Sequence, residues 1–237
     1  MRTLFITLAL VGFGCGSDGN KAVDAAVKPI DAPAVVPPDC TTYCTTIKAN
    51  CTGLNAQYVD DAHCMAMCAK FPVGTAADMS MNTLGCRLYH AGNAAKAGQT
   101  PDVHCPHAGP GGAAVSNLAT PPSVCGDACT SFCTAEIATC GSLDAPIAGI
   151  PAQFKNLAAC MTACGGADTG FDKKHLYTID GAKTPAVPPA GDSLACRMYH
   201  LTNAAASAAA ATTHCPHTGA TGGANAATCM AGTAPTP

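Results

Sequence analysis

The chain has 237 residues, a net charge of −3, 11% charged and 5% aromatic residues, and no tryptophan. It has no basic stripe, which excludes a nucleic-acid partner, and so few aromatics argue against a core of large side chains. Seventeen cysteines among abundant Ala, Gly and Pro point instead to small Ala- and Cys-rich cores. At about 25 cal/mol per Å² these bury too little area to stand without cross-links.

Residues 1–14 read as an export signal. Arg2 supplies the positive start, and the apolar run Leu4 to Val11 is too short to span a bilayer. Export would place the cysteines where disulfides form. The segment ends Val11-Gly12-Phe13-Gly14-Cys15-Gly16-Ser17 and resembles a bacterial lipoprotein signal peptide, in which a small residue precedes a lipidated cysteine. Gly14 and Cys15 match that pattern; Gly12 and Phe13 depart from it. The resemblance implies lipidation at Cys15, a membrane partner through the N-terminal lipid, and a place in the cell envelope, anchored at the outer membrane. Residues 15–38, rich in Ala, Pro, Val and Asp, read as the anchor and a flexible linker that Pro37-Pro38 closes.

Setting Cys15 aside leaves an even set of cysteines, eight in each of two repeats, 39–125 and 126–230, followed by a disordered tail, 231–237. The predicted fold is mainly α, with two tandem disulfide-rich helical repeats and long loops. In the first repeat Asp39 is an N-cap candidate. Cys40, Cys44, Ile47 and Cys51 follow on one helical face. The second repeat has Cys129, Cys133, Glu136 and Cys140 there, with Ile137 able to supply the apolar contact. A second short helix carries Cys64 and Cys68 after Asp60-Asp61; its copy carries Cys160 and Cys164 and stops at Gly165-Gly166. Antiparallel Cys-x3-Cys helices can be stapled as Cys44–Cys64 and Cys40–Cys68, with Cys133–Cys160 and Cys129–Cys164 as copies. This resembles the twin-cysteine helical hairpin of small exported proteins. The remaining cysteines suggest Cys51–Cys86, Cys105–Cys125, Cys140–Cys196 and Cys215–Cys229, although eight cysteines allow about 105 pairings.

A third helix is expected from caps at Asn82 and Asp192. In the second repeat it is expected to run on through Ala204–Ala211, on helix propensity. Gly98 to Asp102 ends it in the first repeat, and the His-Cys-Pro-His segment after it is expected as a Gly-rich loop. This block is the conserved part of the internal repeat. Cys86-Arg87-Leu88-Tyr89-His90 and His104-Cys105-Pro106-His107 recur 110 residues on as Cys196-Arg197-Met198-Tyr199-His200 and His214-Cys215-Pro216-His217. Asn93, Gly109 and Gly112 recur as Asn203, Gly219 and Gly222. A longer connection between Cys164 and Cys196 reads as a surface insertion. His63 and His175 have no copy and read as surface residues.

The block and the leader together resemble uncharacterised cysteine-rich lipoproteins of predatory and soil Gram-negative bacteria, a comparison that implies no activity. The first functional reading is an exported, lipid-anchored envelope binding or structural module with an unidentified envelope or surface partner. A second is a metal protein holding Cu or Zn on His90, His104, His107 and His200, His214, His217, since imidazole suits both ions. A third is a three-His metal-dependent envelope enzyme. Against these stands a purely structural role, with His, Tyr and Arg satisfying loop carbonyls. No catalytic residue is assigned. Glu136 is the single glutamate, so a paired-carboxylate hydrolase lacks its acid and base. No Cys-x2-Cys-His for covalent haem and no nucleophile elbow occurs.

Overall fold

Short helices dominate, and side-chain caps set where most of them begin. The computed structural model describes residues 36–112, 124–165, 171, 193–220 and 228–229, all within the unit Val35–Pro237. The leader, Cys15, the linker, His175 and most of the Cys164–Cys196 insertion lie outside the described residues. In the first repeat the helices are α1 (Cys40–Asn50), α2 (Asp61–Cys68), α3 (Leu84–Asn93) and α4 (Pro101–Ala108). In the second they are α5 (Ala128–Cys140), α6 (Leu157–Gly165), α7 (Leu194–Ala205) and α8 (Ala208–His214), the last continued by a 3₁₀ turn, Cys215–His217.

Asp39 and Asp60 cap α1 and α2 as expected, their carboxylates accepting from the Thr42 and His63 amides. The third-helix caps fall one residue later than predicted. Thr83 and Ser193, not Asn82 and Asp192, accept from the amides of Cys86 and Cys196; both are favoured capping types, Thr somewhat below Asn and Asp. The Ala-rich helix of the second repeat is also broken: α7 ends at Ala205, and Ser207 caps a new helix, α8. A hydroxyl that satisfies the Ala210 amide outweighs the propensity of the surrounding alanines. His-Cys-Pro-His is helical rather than a loop, because Pro101 sits in the first turn of α4, where its missing N–H costs nothing.

The helical hairpins are stapled as predicted, by Cys40–Cys68, Cys44–Cys64, Cys129–Cys164 and Cys133–Cys160. The other four pairings differ from expectation. They are Cys51–Cys105 and Cys86–Cys125, with Cys140–Cys215 and Cys196–Cys229 in the second repeat. The end of α1 is thus joined to α4, not to α3. The reason is the unexpected helix: once residues 101–108 pack as α4 along α3 and α1, Cys105 faces Cys51. Each bridge adds roughly 2–4 kcal/mol, mainly by restricting the unfolded chain.

The core combines these sulfurs with more aromatic surface than composition implied. Tyr43, Phe71, Phe132, Phe154 and Phe171 are all buried. Tyr43 meets Phe71 edge to face, and Phe132 meets Phe171 likewise. Ile137 packs against the same core. The two repeats touch: α2 packs on α7, and Lys70 donates to the Ala138 carbonyl at 3.2 Å.

Candidate metal centre

Helices α3 and α4 bring the repeated histidines of the first half together. His104 and His107 lie three residues apart on one face of α4, and His90 meets them from α3. Two bridges, Cys51–Cys105 and Cys86–Cys125, fix both helices beside these rings. His90 Nδ1 lies 2.9 Å from His104 Nδ1 and 3.4 Å from His107 Nδ1. The second half repeats this: His200 Nδ1 lies 3.0 Å from His214 Nδ1 and 3.2 Å from His217 Nδ1. In each triad the ligand atoms lie within 4.8 Å of one another. Cys86 and Cys125, and Cys196 and Cys229, also lie near His90 and His200, but they are disulfide sulfurs and not thiolate ligands.

The protonation states give this geometry its meaning. The outer nitrogen of His90, Nε2, lies 3.2 Å from the Met79 carbonyl oxygen. A carbonyl only accepts, so Nε2 carries the proton and Nδ1 presents a lone pair. His104 Nε2 likewise sits 2.6 Å from Gln99 Oε1, which turns the His104 Nδ1 lone pair inward as well. With His104 in that tautomer, two inward lone pairs 2.9 Å apart repel unless a cation sits between them; in the other, one ring donates to the other. A proton is a poor candidate. Burial, and then the neighbouring His90 and His104, push His107 down to about 4. Burial also lowers His90 and His104, and His214 and His217.

A metal ion fits better. Nitrogens about 2.0–2.1 Å from an ion are about 2.9 Å apart at right angles and about 3.3 Å apart in a tetrahedral face, which is the range found here. An outer carbonyl or amide oxygen on the far ring nitrogen is the usual support for a metal-bound imidazole. His90 and His107 are 7% and 6% exposed, while His104, His214 and His217 are only partly buried. Each centre therefore faces solvent on one side.

The other repeated residues have structural work. Arg87 and Arg197 are fully buried. Arg87 donates to the carbonyls of Gly109, Thr83 and Pro110 and to Ser131 Oγ; Arg197 donates to those of Gly219, Ser193 and Cys229. Their guanidinium groups lie over Phe71 and Phe171, 4.0 and 3.8 Å from the ring centroids. For the arginines, the structural role of satisfying loop carbonyls therefore holds. Tyr89 and Tyr199 stand edge-on to His90 and His200. Gly109 and Gly219 recur because a Cβ there would lie 2.0 Å from Gln57 Oε1 and 2.6 Å from Gln153 Oε1.

Sequence reasoning missed several supports. Gln99 and the Met79 carbonyl carry no motif. Gln57 and Gln153 sit at matched distances before the second hairpin helices, a signal that aligning those loops would have found. Glu136, expected only as a gap in an apolar face, is fully buried and pushed up to about 8 by burial. His63, expected at the surface, is partly exposed there, with its Nδ1 2.7 Å from Asp60 Oδ1.

The BfoA family C-terminal domain matches residues 33–121, a span that includes His90, His104 and His107. The chain is 37% identical over 73 residues to the Aurasperone B biosynthesis cluster protein A of Aspergillus niger, covering 30% of this chain and 23% of that protein. It is equally similar over the same length to the Bifonsecin B biosynthesis cluster protein A of Aspergillus brasiliensis, covering 24% of that protein. The matched region thus spans about a quarter of the length of these curated relatives. No solved structure matches. Among the described residues no helix is long and apolar enough to cross a membrane. These fungal biosynthesis-cluster relatives overturn the expectation of a bacterial, lipid-anchored envelope module and of an outer-membrane location. That expectation rested on the leader and a local motif likeness. The family-model match instead covers residues 33–121, which carry the first cysteine- and histidine-bearing repeat, and the listed relatives are named for biosynthesis clusters.

Proposed function

We propose that this protein is a metal-binding factor of secondary-metabolite biosynthesis, holding one Cu or Zn ion on each triad: His90, His104 and His107, and His200, His214 and His217. The observation that carries this reading is the inward-facing Nδ1 pair of His90 and His104, 2.9 Å apart, with Met79 holding the proton on the outer side of His90. The biosynthetic setting is supported by the names of the Aspergillus relatives. Three neutral imidazoles without a carboxylate suit Cu and Zn alike, and Cu(II) stands above Zn in the affinity order of divalent ions. A solvent-facing side leaves room for a fourth ligand, as catalytic rather than closed structural sites require.

The test is Cu(II) titration of the oxidised full chain, followed by electron paramagnetic resonance. Three equivalent nitrogen couplings at each of two copper centres are expected. Copper bound weakly, without imidazole coupling, would refute the proposal. Disruption of the corresponding gene in its own organism should change the profile of secondary metabolites; an unchanged profile would remove the biosynthetic half of the reading and leave the metal half standing.

A further inference from the structure

A cavity of about 280 Å³ opens between α1, the start of α2 and the loop 51–60 that joins them. Ile47, Ala56, Val59 and the Cys44–Cys64 bridge give it apolar walls. Those walls are tied down at several points. Cys44–Cys64 joins α1 to α2, and Cys51–Cys105 fastens the start of the loop to α4. At its far end the Tyr58 hydroxyl lies 2.9 Å from that of Tyr43, which donates to the Ala108 carbonyl of α4 at 2.6 Å. Within the loop, the Gln57 amide donates to the Asn55 carbonyl at 3.0 Å. A guest therefore gains apolar contact without first having to order the loop. The second repeat keeps the bridges but not the lining. The places that match Ile47 and Val59, counted from Cys133 and Cys160, are Glu136 and Lys155.

We propose that this cavity is a binding site for a neutral, largely apolar molecule of about two rings. Size sets the first limit. An apolar cavity of roughly 150 Å³ takes benzene, so this one has room for about two rings. Charge sets the second. The mouth carries Lys48, Asp60 and Asp61, and both oxygens of Asp61 already hold the Lys48 ammonium at 2.9 Å. The carboxylates outnumber the one lysine, so an anionic guest is repelled and a neutral one is not. Gln57 and Tyr58 also line the cavity and can orient a single hydroxyl or carbonyl on the guest, the usual division of a small-molecule site between apolar walls and a few polar groups. The site goes beyond the metal reading and does not depend on it: none of its lining residues is a triad histidine.

The experiment is a fluorescence titration of the oxidised full chain, without added metal, with 2-naphthol at neutral pH. Saturable binding at one site per chain is expected. 2-Naphthoate, the same ring system carrying a carboxylate, should bind about tenfold more weakly or worse, and four-ring pyrene should not bind. Val59→Lys places the second repeat's residue at a position that is 53% exposed, so the fold is kept, and naphthol binding should weaken about tenfold. Ala56→Leu fills the cavity and should abolish binding; Val59→Lys carries the test if that variant folds poorly. No saturable binding to folded wild type, the outcome if another segment of this chain or a second copy fills the cavity, would overturn the proposal. Binding that neither variant changes would overturn the location, and naphthoate binding as tightly as naphthol would overturn the assignment to neutral guests.

Discussion

The two histidine triads present nearly the same triangle of ring nitrogens on different supports. In the first, the Ala108 carbonyl beside His107 accepts the buried Tyr43 hydroxyl at 2.6 Å, and Tyr43 lies 2.9 Å from the Tyr58 hydroxyl. In the second, Phe132 takes the place of Tyr43, and Thr218 replaces Ala108. The Thr218 hydroxyl lies 2.8 Å from Glu136 Oε1 and 2.7 Å from the Cys215 carbonyl. One hydroxyl has one proton to give. A protonated Glu136 donating to Thr218, which in turn donates to Cys215, satisfies the chain, in keeping with the raised Glu136 value. The lesson is that the parts held constant are ring nitrogens, arginines and bridges, whereas the buried polar scaffolding has been rebuilt. Packing alone would sooner preserve the scaffolding; a requirement for three convergent imidazoles preserves the triangle.

The largest expected effect falls on the arginines. Arg87→Ala orphans several buried carbonyls and should cost about 3–5 kcal/mol. Because Arg87 also holds Ser131 of the second half, hydrogen exchange should rise in both repeats. Arg197→Ala should raise it chiefly in the second; equal spread in both variants would erase the distinction between the two arginines. Next comes Glu136, which occupies the place of Ile47. Its folded pKa, about 8, lies above its ordinary value of 4.5, so between these values the folded state keeps a proton that the unfolded state releases. Its contribution to stability therefore falls as pH rises through that window. Glu136→Gln should flatten that fall and stabilise the protein above pH 8 by on the order of 2–4 kcal/mol. Thermal melts across pH check this, and an unaltered pH slope would show that Glu136 is not the buried acid. The smallest effect concerns Gln99, whose place in the second repeat is Ala209. Gln99→Ala should weaken metal binding at the first triad roughly 10–100-fold and leave the second unchanged. Chelator competition resolves the two sites, and equal weakening would contradict the assignment.

Much of this was legible in the residues themselves. The hairpin bridges followed from Cys-x3-Cys spacing, and the triads from a repeat that kept three histidines while letting other positions drift. What failed did so for identifiable reasons. Pro101 read as a stop although Pro also starts helices, so α4 was missed, and with it the partners of Cys51 and Cys86. Ser207 ended a helix that alanine propensity would have continued, since capping is decided by one hydroxyl. The Met79 carbonyl depends on tertiary packing that no local pattern encodes. The bacterial-envelope reading failed because it drew function from the leader and a local motif likeness, whereas the family-model match lies in residues 33–121.

Native mass spectrometry of the oxidised full chain after loading with Cu(II) or Zn(II) tests the central claim most directly. Two tightly held ions per chain are predicted, falling to one in His104→Ala/His107→Ala and to one in His214→Ala/His217→Ala, with all eight bridges retained. A folded, fully oxidised wild-type protein that retains no ion would contradict it and leave the histidines as scaffolding.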